Sequence, residues 1–376
     1  MKADTTLCNL NWCSNCLTMS TRPRITFDAR GWCNACVWTE KKKSLDWEAR
    51  HAELIKLIDK HRRNDGEFDC MVPCSGGKDG SYVAYNLKHK YGMNPLCVTI
   101  TPALTLPLGD QNLRAFVESG YSHISVNPDH EAMRVLNKTG FIEMGFPYYG
   151  WLISIHTTVI RTAIAFGINL IFYGEDGEVE YGGSTETSKD PIYDVHYQKN
   201  IYLEGGYEKV LAASGLSASQ LNLFRYPSNE ELNKHAIELT HWSYFENWDP
   251  YRNYLIAKEH CGLKEAEDSN AGTFTNYSQN DQALYALHTY LMYLKFGFGR
   301  ANQDACIEVR RGAMDRDQAV NLVRLYDGHY PEEFIQLYLD YYQMTKPELD
   351  AVLDRYANKN LFEKVDGHWQ PLFIVA

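Results

Sequence analysis

The chain has 376 residues, 44% of them apolar and 23% charged, enough for one large domain or two ordinary ones with a sizeable core. Its net charge of −11 is unevenly divided, with +5 on residues 1–63 and −16 on the remainder. The acidic body argues against broad nucleic-acid contact, which relies on cations neutralising phosphates, and no run of 18 apolar residues exists to span a membrane.

The first stretch, MKADTTLCNLNWC, has no apolar h-region and is not expected to be a signal peptide. Cysteine occurs ten times. Four of the ten form two C-x-x-C units, which points to metal binding and a reducing, cytoplasmic compartment. Cys13 and Cys16 are followed after sixteen residues by Cys33 and Cys36, a spacing that can bring four thiolates around one tetrahedral zinc ion. Arg22-Pro23 and Gly31 suit the required reversals. Four protein ligands leave no open position for water, so the expected role over residues 1–45 is structural. Cys8 offers a substitute ligand outside the paired spacing. Residues 46–66 then carry Leu54, Ile55, Leu57 and Ile58 in a helical pattern and read as a connecting helix.

From residue 68 apolar strand-like runs alternate with helical stretches. FDCMVP precedes a helix near 79–90, PLCVTIT one near 109–118 and HISVN one near 128–138, and INLIFYG follows a long apolar helix near 151–166. This alternation indicates an α/β fold with a doubly wound parallel sheet over 67–240, its sites at the strand C-termini. Residues 184–240 are polar and read as an insertion. Residues 241–376 read as mainly helical, with Asp315, Pro331 and Pro347 at N-cap or first-turn positions. The 26 tyrosines suit a wet pocket or a tyrosine-rich core surface equally well.

The stretch CMVPCSGGKDGSY is a strand, a glycine turn and a helix start. It is not a Walker loop, because Gly77-Lys78 is followed by Asp79 and position 72 is Val. Adjacent Gly76 and Gly77 let backbone N–H groups converge on an anion, Ser75 adds a hydroxyl and Lys78 a charge. Asp79 would repel phosphate unless it organises a magnesium ion. These residues resemble the PP-loop of ATP pyrophosphatases, S-G-G-x-D-S, except that Gly80 replaces the last Ser and Ser81 lies one place later. The resemblance implies ATP cleavage between the α- and β-phosphates, with Thr99 and Thr101 near the adenosine and Gly174 at the facing strand end.

A second signature, YGEDGEVEYGG, crowds Glu175, Asp176, Glu178 and Glu180 just after a strand. Carboxylates aimed at an ATP site need magnesium or substrate amines to relieve their repulsion; a solvated acidic turn is the plain alternative. The cysteine stretch, CSGGKDGS, GEDGEVEYGG and GTFTNYSQNDQALYALHTYLMYLKFGFGRANQDACIEVRRG together resemble the N-acetyl sugar amidotransferase family of bacterial surface-polysaccharide and flagellar-glycan biosynthesis. The resemblance implies a PP-loop (HUP-like) fold and the ligands ATP, Mg2+ and Zn2+. It also implies conversion of a sugar acetamido group to an acetamidino group, on a sugar nucleotide or a nonulosonic acid. Lys78, Asp79, Glu175 and Glu178 are then the expected catalytic residues, and Arg161, Asn276, Tyr277, Arg310 and Arg311 the expected sugar contacts. Arg300 is an equal choice between substrate contact and solvated helix charge, and His156 reads mainly as a core residue. Position 2 is Lys and no G-x-C-x-G is present, so this chain is expected to make no ammonia. The resemblance implies separate glutaminase and barrel (cyclase-like) subunits that deliver it. Two rivals are a PP-loop tRNA-modifying enzyme of the thiolase kind, which would demand a basic surface, and a non-catalytic zinc scaffold.

Overall fold

A computed structural model describes residues 10–376, so Cys8 lies outside the described residues. Six strands form the main sheet: β1 (Cys70–Pro73), β2 (Pro95–Ile100), β3 (Ser122–Val126), β4 (Leu170–Tyr173), β5 (Ile192–Tyr193) and β6 (Glu238–His241). Their order is β3-β2-β1-β4-β6-β5, with β5 alone antiparallel to its neighbour. The order reverses between β1 and β4, so the loops leaving these two strands diverge and a crevice opens above them.

Side chains alternate across the sheet and feed two cores. Met71, Val98, Ile100 and Ile171 face helices His130–Met144 and Tyr149–Ala165, with helix Leu284–Phe296 and later helices completing that core. Cys70, Val72, Cys97 and Phe172 face the other way, toward helices Trp47–His61, Lys78–Tyr85 and Pro107–Glu118. The helix starts are set locally: Asp46 and Asp129 cap Ala49 and Ala132, and Asp315 forms a capping box with Gln318. Many tyrosines are core residues with one satisfied hydroxyl, such as Tyr338 donating to Ala283 O at 2.7 Å and Tyr342 to Pro147 O at 2.6 Å.

Two features depart from the sequence reading. The polar insertion contains β5 and ends in β6, which pairs along its length with β4 and extends the parallel sheet. The helical C-terminal region ends in a hairpin of β7 (Phe362–Val365) and β8 (His368–Pro371). Helix Pro250–Cys261, early in that region, packs on helix Lys78–Tyr85 and so belongs to the wall of the crevice. Among the described residues no helix is long and apolar enough to cross a membrane.

Candidate functional site

The glycine loop sits at the β1 end of the crevice. Gly76 has φ +80°, and a Cβ there would lie 2.5 Å from the backbone of Leu113, so helix Pro107–Glu118 closes directly over it. Gly77 is the N-cap of helix Lys78–Tyr85, whose first-turn N–H groups have no intrahelical acceptor. A cleft of about 370 Å3 opens above this turn, with Ser75, Gly77, Lys78 and Asp79 on one wall and Tyr277, Asp281 and Arg300 on the other. Lys78 pairs with Asp79, whose other oxygen accepts from Asn253 Nδ2 at 3.3 Å.

Gly80 and Ser81 have separate explanations. A Cβ on Gly80 would stand 2.8 Å from Pro73 O and 2.9 Å from Cys74 Cα, so the helix start packs against β1 with no room for a side chain. Ser81 is fully buried with its hydroxyl 3.8 Å from Cys74 Sγ, turned inward by the helix and away from the cleft. The expected Ser81 phosphate contact is therefore corrected. Cys74 lies beneath the loop, and burial pushes its thiol up to about 12.

The acidic signature divides into four roles. Glu175 lines the cleft and accepts from Tyr181 Oη at 3.2 Å. Burial, reinforced by the charge of Asp79, pushes its carboxyl up to about 7. Asp176 caps the helix Gly177–Tyr181 and is bonded by Tyr202 and Thr187. Glu178 is held by Arg24 in a bidentate pair at 2.7 and 2.8 Å and accepts from Ser184 N at 2.7 Å. Glu180 is buried, bonded by Trp38 Nε1 at 2.9 Å and Lys42 Nζ at 2.7 Å. Glu175 alone of the four faces the cleft; the expected catalytic place of Glu178 is corrected, because both its oxygens are engaged by Arg24. The signature is not a solvated turn either, since Glu178 and Glu180 tie the sheet to residues 24–42.

Other expected site residues are scattered. Tyr277 lines the cleft, whereas Asn276 bonds Ala266 O at 2.8 Å and braces its own loop. Arg161 donates to the carbonyls of Arg225 and Tyr226 in the insertion, so backbone carbonyls take the place of the sugar contact expected for it. Arg311 pairs with Glu308 at 2.7 Å and Asp249 at 3.4 Å and stacks on Tyr251, outside the cleft. Thr99 is buried between Cys74 O and His123, and neither it nor Thr101 lines the cleft. His156 is a buried core histidine, pushed down to about 3 by burial. Gly174 packs on Asp79, its Cα bare enough to leave a Cβ position 3.3 Å from the Asp79 Cβ. Asn253 and Asp281 are the residues the sequence pattern does not single out. Asp281 ends the stretch FTNYSQND, and burial pushes it up to about 6.

The four cysteines converge. Their sulfurs lie within 4.8 Å of one another, with Cys13–Cys36 at 3.7 Å and Cys16–Cys33 at 3.6 Å. Tetrahedral zinc–thiolate bonds of about 2.3 Å give sulfur separations of about 3.8 Å, so the cluster fits a metal ion such as zinc. Hydrogen bonding to Cys13 pushes Cys36 up and Cys16 down, a conflict that a dication removes by holding all four as thiolates. Asn15 Nδ2 and Arg310 Nη1 donate to Cys36 and Cys16 at 3.3 and 3.5 Å and offset the cluster's negative charge. The knuckle packs on helices Arg300–Arg310 and Arg316–Tyr326 through Ala305, Cys306, Ala319 and Val323.

Fold and site thus define a mixed α/β protein with a parallel sheet, a glycine-loop crevice at its switch point, a four-cysteine knuckle that fits a metal ion and a helical C-terminal region. Residues 271–373 match the family model described as LPS biosynthesis protein WbpG-like, C-terminal domain. The uncharacterized protein MJ1599 of Methanocaldococcus jannaschii is 30% identical over 89 residues, which are 23% of this chain and 32% of that protein. The chain thus spans about a third of the length of that curated relative. The matched C-terminal segment supplies the far wall of the cleft, including Tyr277, Asp281 and Arg300.

Proposed function

We propose that the chain is an ATP-dependent amidotransferase of surface-glycan biosynthesis, converting a sugar acetamido group to an acetamidino group with release of AMP and pyrophosphate. The observation that carries this reading is the juxtaposition of the Ser75–Asp79 turn and Glu175 across one crevice whose other wall resembles a lipopolysaccharide-biosynthesis domain. The match to that domain supports the glycan context, and the glycine turn supports ATP as co-substrate.

The chemistry follows from the difficulty of the reaction. An amide carbon resists ammonia because its oxygen is a poor leaving group. Attack of that oxygen on the α-phosphorus forms an O–P bond and breaks the bond to the β-phosphate, so pyrophosphate leaves. Ammonia then adds to the activated carbon, two protons are shed, and AMP departs with the original amide oxygen. The ledger balances as acetamide, ammonia and ATP giving acetamidine, AMP and pyrophosphate.

This chain's residues divide the work. Ser75, Gly76, Gly77 and Lys78 hold the pyrophosphate end through backbone N–H groups, a hydroxyl and a charge. Asn253 orients Asp79. The hard oxygens of Asp79 suit magnesium. When bound there, the ion would neutralise charge on the departing pyrophosphate. Glu175, pushed up to about 7, is matched to accept a proton from ammonia as it adds. Thr99 braces the loop from beneath through Cys74 O, and the ammonia comes from separate glutaminase and barrel subunits.

The test combines the full chain, Mg-ATP, ammonium and a panel of acetamido sugar nucleotides and nonulosonic acids, with mass spectrometry of the products. AMP together with replacement of O by NH in one sugar supports the reading. ADP, or AMP with every sugar unchanged, overturns it.

A further inference from the structure

The crevice does not end at the glycine loop. A narrow extension of about 70 Å3 leaves it past Lys78, Glu175 and Arg300 and runs to the metal knuckle, where Thr18, Arg22 and Arg310 close its far end. One face of helix Arg300–Arg310 forms its wall, presenting Arg300, Gln303, Asp304 and Ile307 at helical spacing.

Its charges can be paired off one by one. Lys78 is taken by Asp79, Arg300 by Asp304 at 2.8 Å, and Glu308 by Arg311 at 2.7 Å. Arg310 leans on Cys16 Sγ at 3.5 Å. The Arg22 guanidinium makes no hydrogen bond and no ion pair among the described residues, and its Nε is wholly enclosed. Burial lowers its pKa, the charge of Glu178 opposes that, and neighbouring Arg310 adds to it. A guanidinium whose Nε is enclosed beside a second guanidinium carries a desolvation cost that Glu178, itself paired with Arg24, offsets only in part. Planar guanidinium groups match phosphate and carboxylate oxygens with paired donors.

We propose that Arg22, with Arg310, forms an anion-binding subsite at the knuckle end of the extension, which holds a phosphate or carboxylate of the sugar substrate while its acetamido group lies by Glu175. The volume admits one small anionic group there rather than a whole nucleotide. Arg22 lies between the two halves of the cysteine knuckle, six residues after Cys16, so the convergence of the four cysteines sets its position. The knuckle is then a wall of the substrate site as well as a structural clip. This inference rests on the amidotransferase reading for the identity of the substrate, but not for the existence of the subsite.

The test is calorimetric titration of metal-replete full-length protein with two probes. N-acetylglucosamine 1-phosphate offers a terminal phosphate without a carboxylate, and N-acetylneuraminic acid a carboxylate without a phosphate. One of them is expected to bind, and Arg22→Gln should weaken that probe about ten- to a hundred-fold. Arg22→Lys should recover part of the loss. Affinity for a non-hydrolysable ATP analogue and the metal content should stay unchanged in both variants, which separates a lost contact from a misfolded knuckle. Binding of the phosphate probe alone identifies a phosphate subsite, and of the acid alone a carboxylate subsite. Unchanged probe affinity in Arg22→Gln, or no binding of either probe to the unaltered protein, overturns the proposal. Arg22-dependent binding without AMP formation would keep the subsite and remove the amidotransferase reading; AMP and amidine formation unaffected by Arg22→Gln would do the reverse.

Discussion

Restoring the second serine of the S-G-G-x-D-S pattern by Gly80→Ser should damage this protein. A Cβ at position 80 would lie 2.8 Å from Pro73 O and 2.9 Å from Cys74 Cα, both backbone atoms of the strand that carries the loop. Neither can rotate away, so the helix start must move off β1 by several tenths of an ångström. Overpacking of this kind costs about 1–3 kcal/mol, a factor on the order of 5 to 150 in the folding equilibrium. The same movement displaces the N–H groups of Gly77 and Lys78, so nucleotide affinity should fall with stability. Gly80→Ala and Gly80→Ser should behave alike, because the clash belongs to the Cβ. Ser81→Ala should leave nucleotide affinity unchanged, because its hydroxyl faces Cys74 in the core. Urea unfolding and titration with an ATP analogue read both effects. Tighter nucleotide binding by Gly80→Ser at undiminished stability would refute the packing argument.

Three further outcomes follow from the geometry. Glu175 is raised from 4.5 to about 7, so its contribution to stability is complete below pH 4.5 and disappears as pH rises through 7. The rate should climb over the same approach to pH 7 as the carboxylate forms, and Glu175→Gln should abolish both dependences; an unchanged pH–rate profile in that variant would remove its assignment. Lys42 and Glu180 are a buried pair, 8% and 6% exposed, so Glu180→Gln should cost about 3–5 kcal/mol in urea unfolding. Joint replacement of the two by apolar residues should cost much less, and a joint loss equal to the sum of the two single losses would show the pair is not coupled. The native protein should carry one metal ion per knuckle by elemental analysis, and Cys33→Ser should lose it together with the packing of helix Arg300–Arg310; a metal-free, fully stable protein would show that the four cysteines are reduced core thiols.

What the sequence made legible was local. The C-x-x-C pairs, the glycine turn and the helix caps each lie within a few residues of the group they serve, and the alternation of strands and helices implied a doubly wound parallel sheet, whose switch point the strand order puts between β1 and β4. The partners that decide Glu178 and Glu180 are Arg24, Lys42 and Trp38, more than a hundred residues away, so no spacing rule could separate them from Glu175. β6 is four residues, ELTH, inside a polar segment and is a strand because β4 pairs with it. Arg161 is an expected sugar contact by resemblance, but two backbone carbonyls of the insertion hold it instead. The inward turn of Ser81 was readable in principle, since helical rotation carries it away from the direction of Lys78.

The central claim is that the amide oxygen of the sugar is adenylated, and its most direct test follows that atom. An acetamido sugar labelled with heavy oxygen in the acetyl carbonyl is incubated with the protein, Mg-ATP and ammonium, and the AMP is examined by mass spectrometry. The account predicts that the label appears in AMP, in proportion to the acetamidino sugar formed. Label retained in the sugar, or found in pyrophosphate or water, would contradict it.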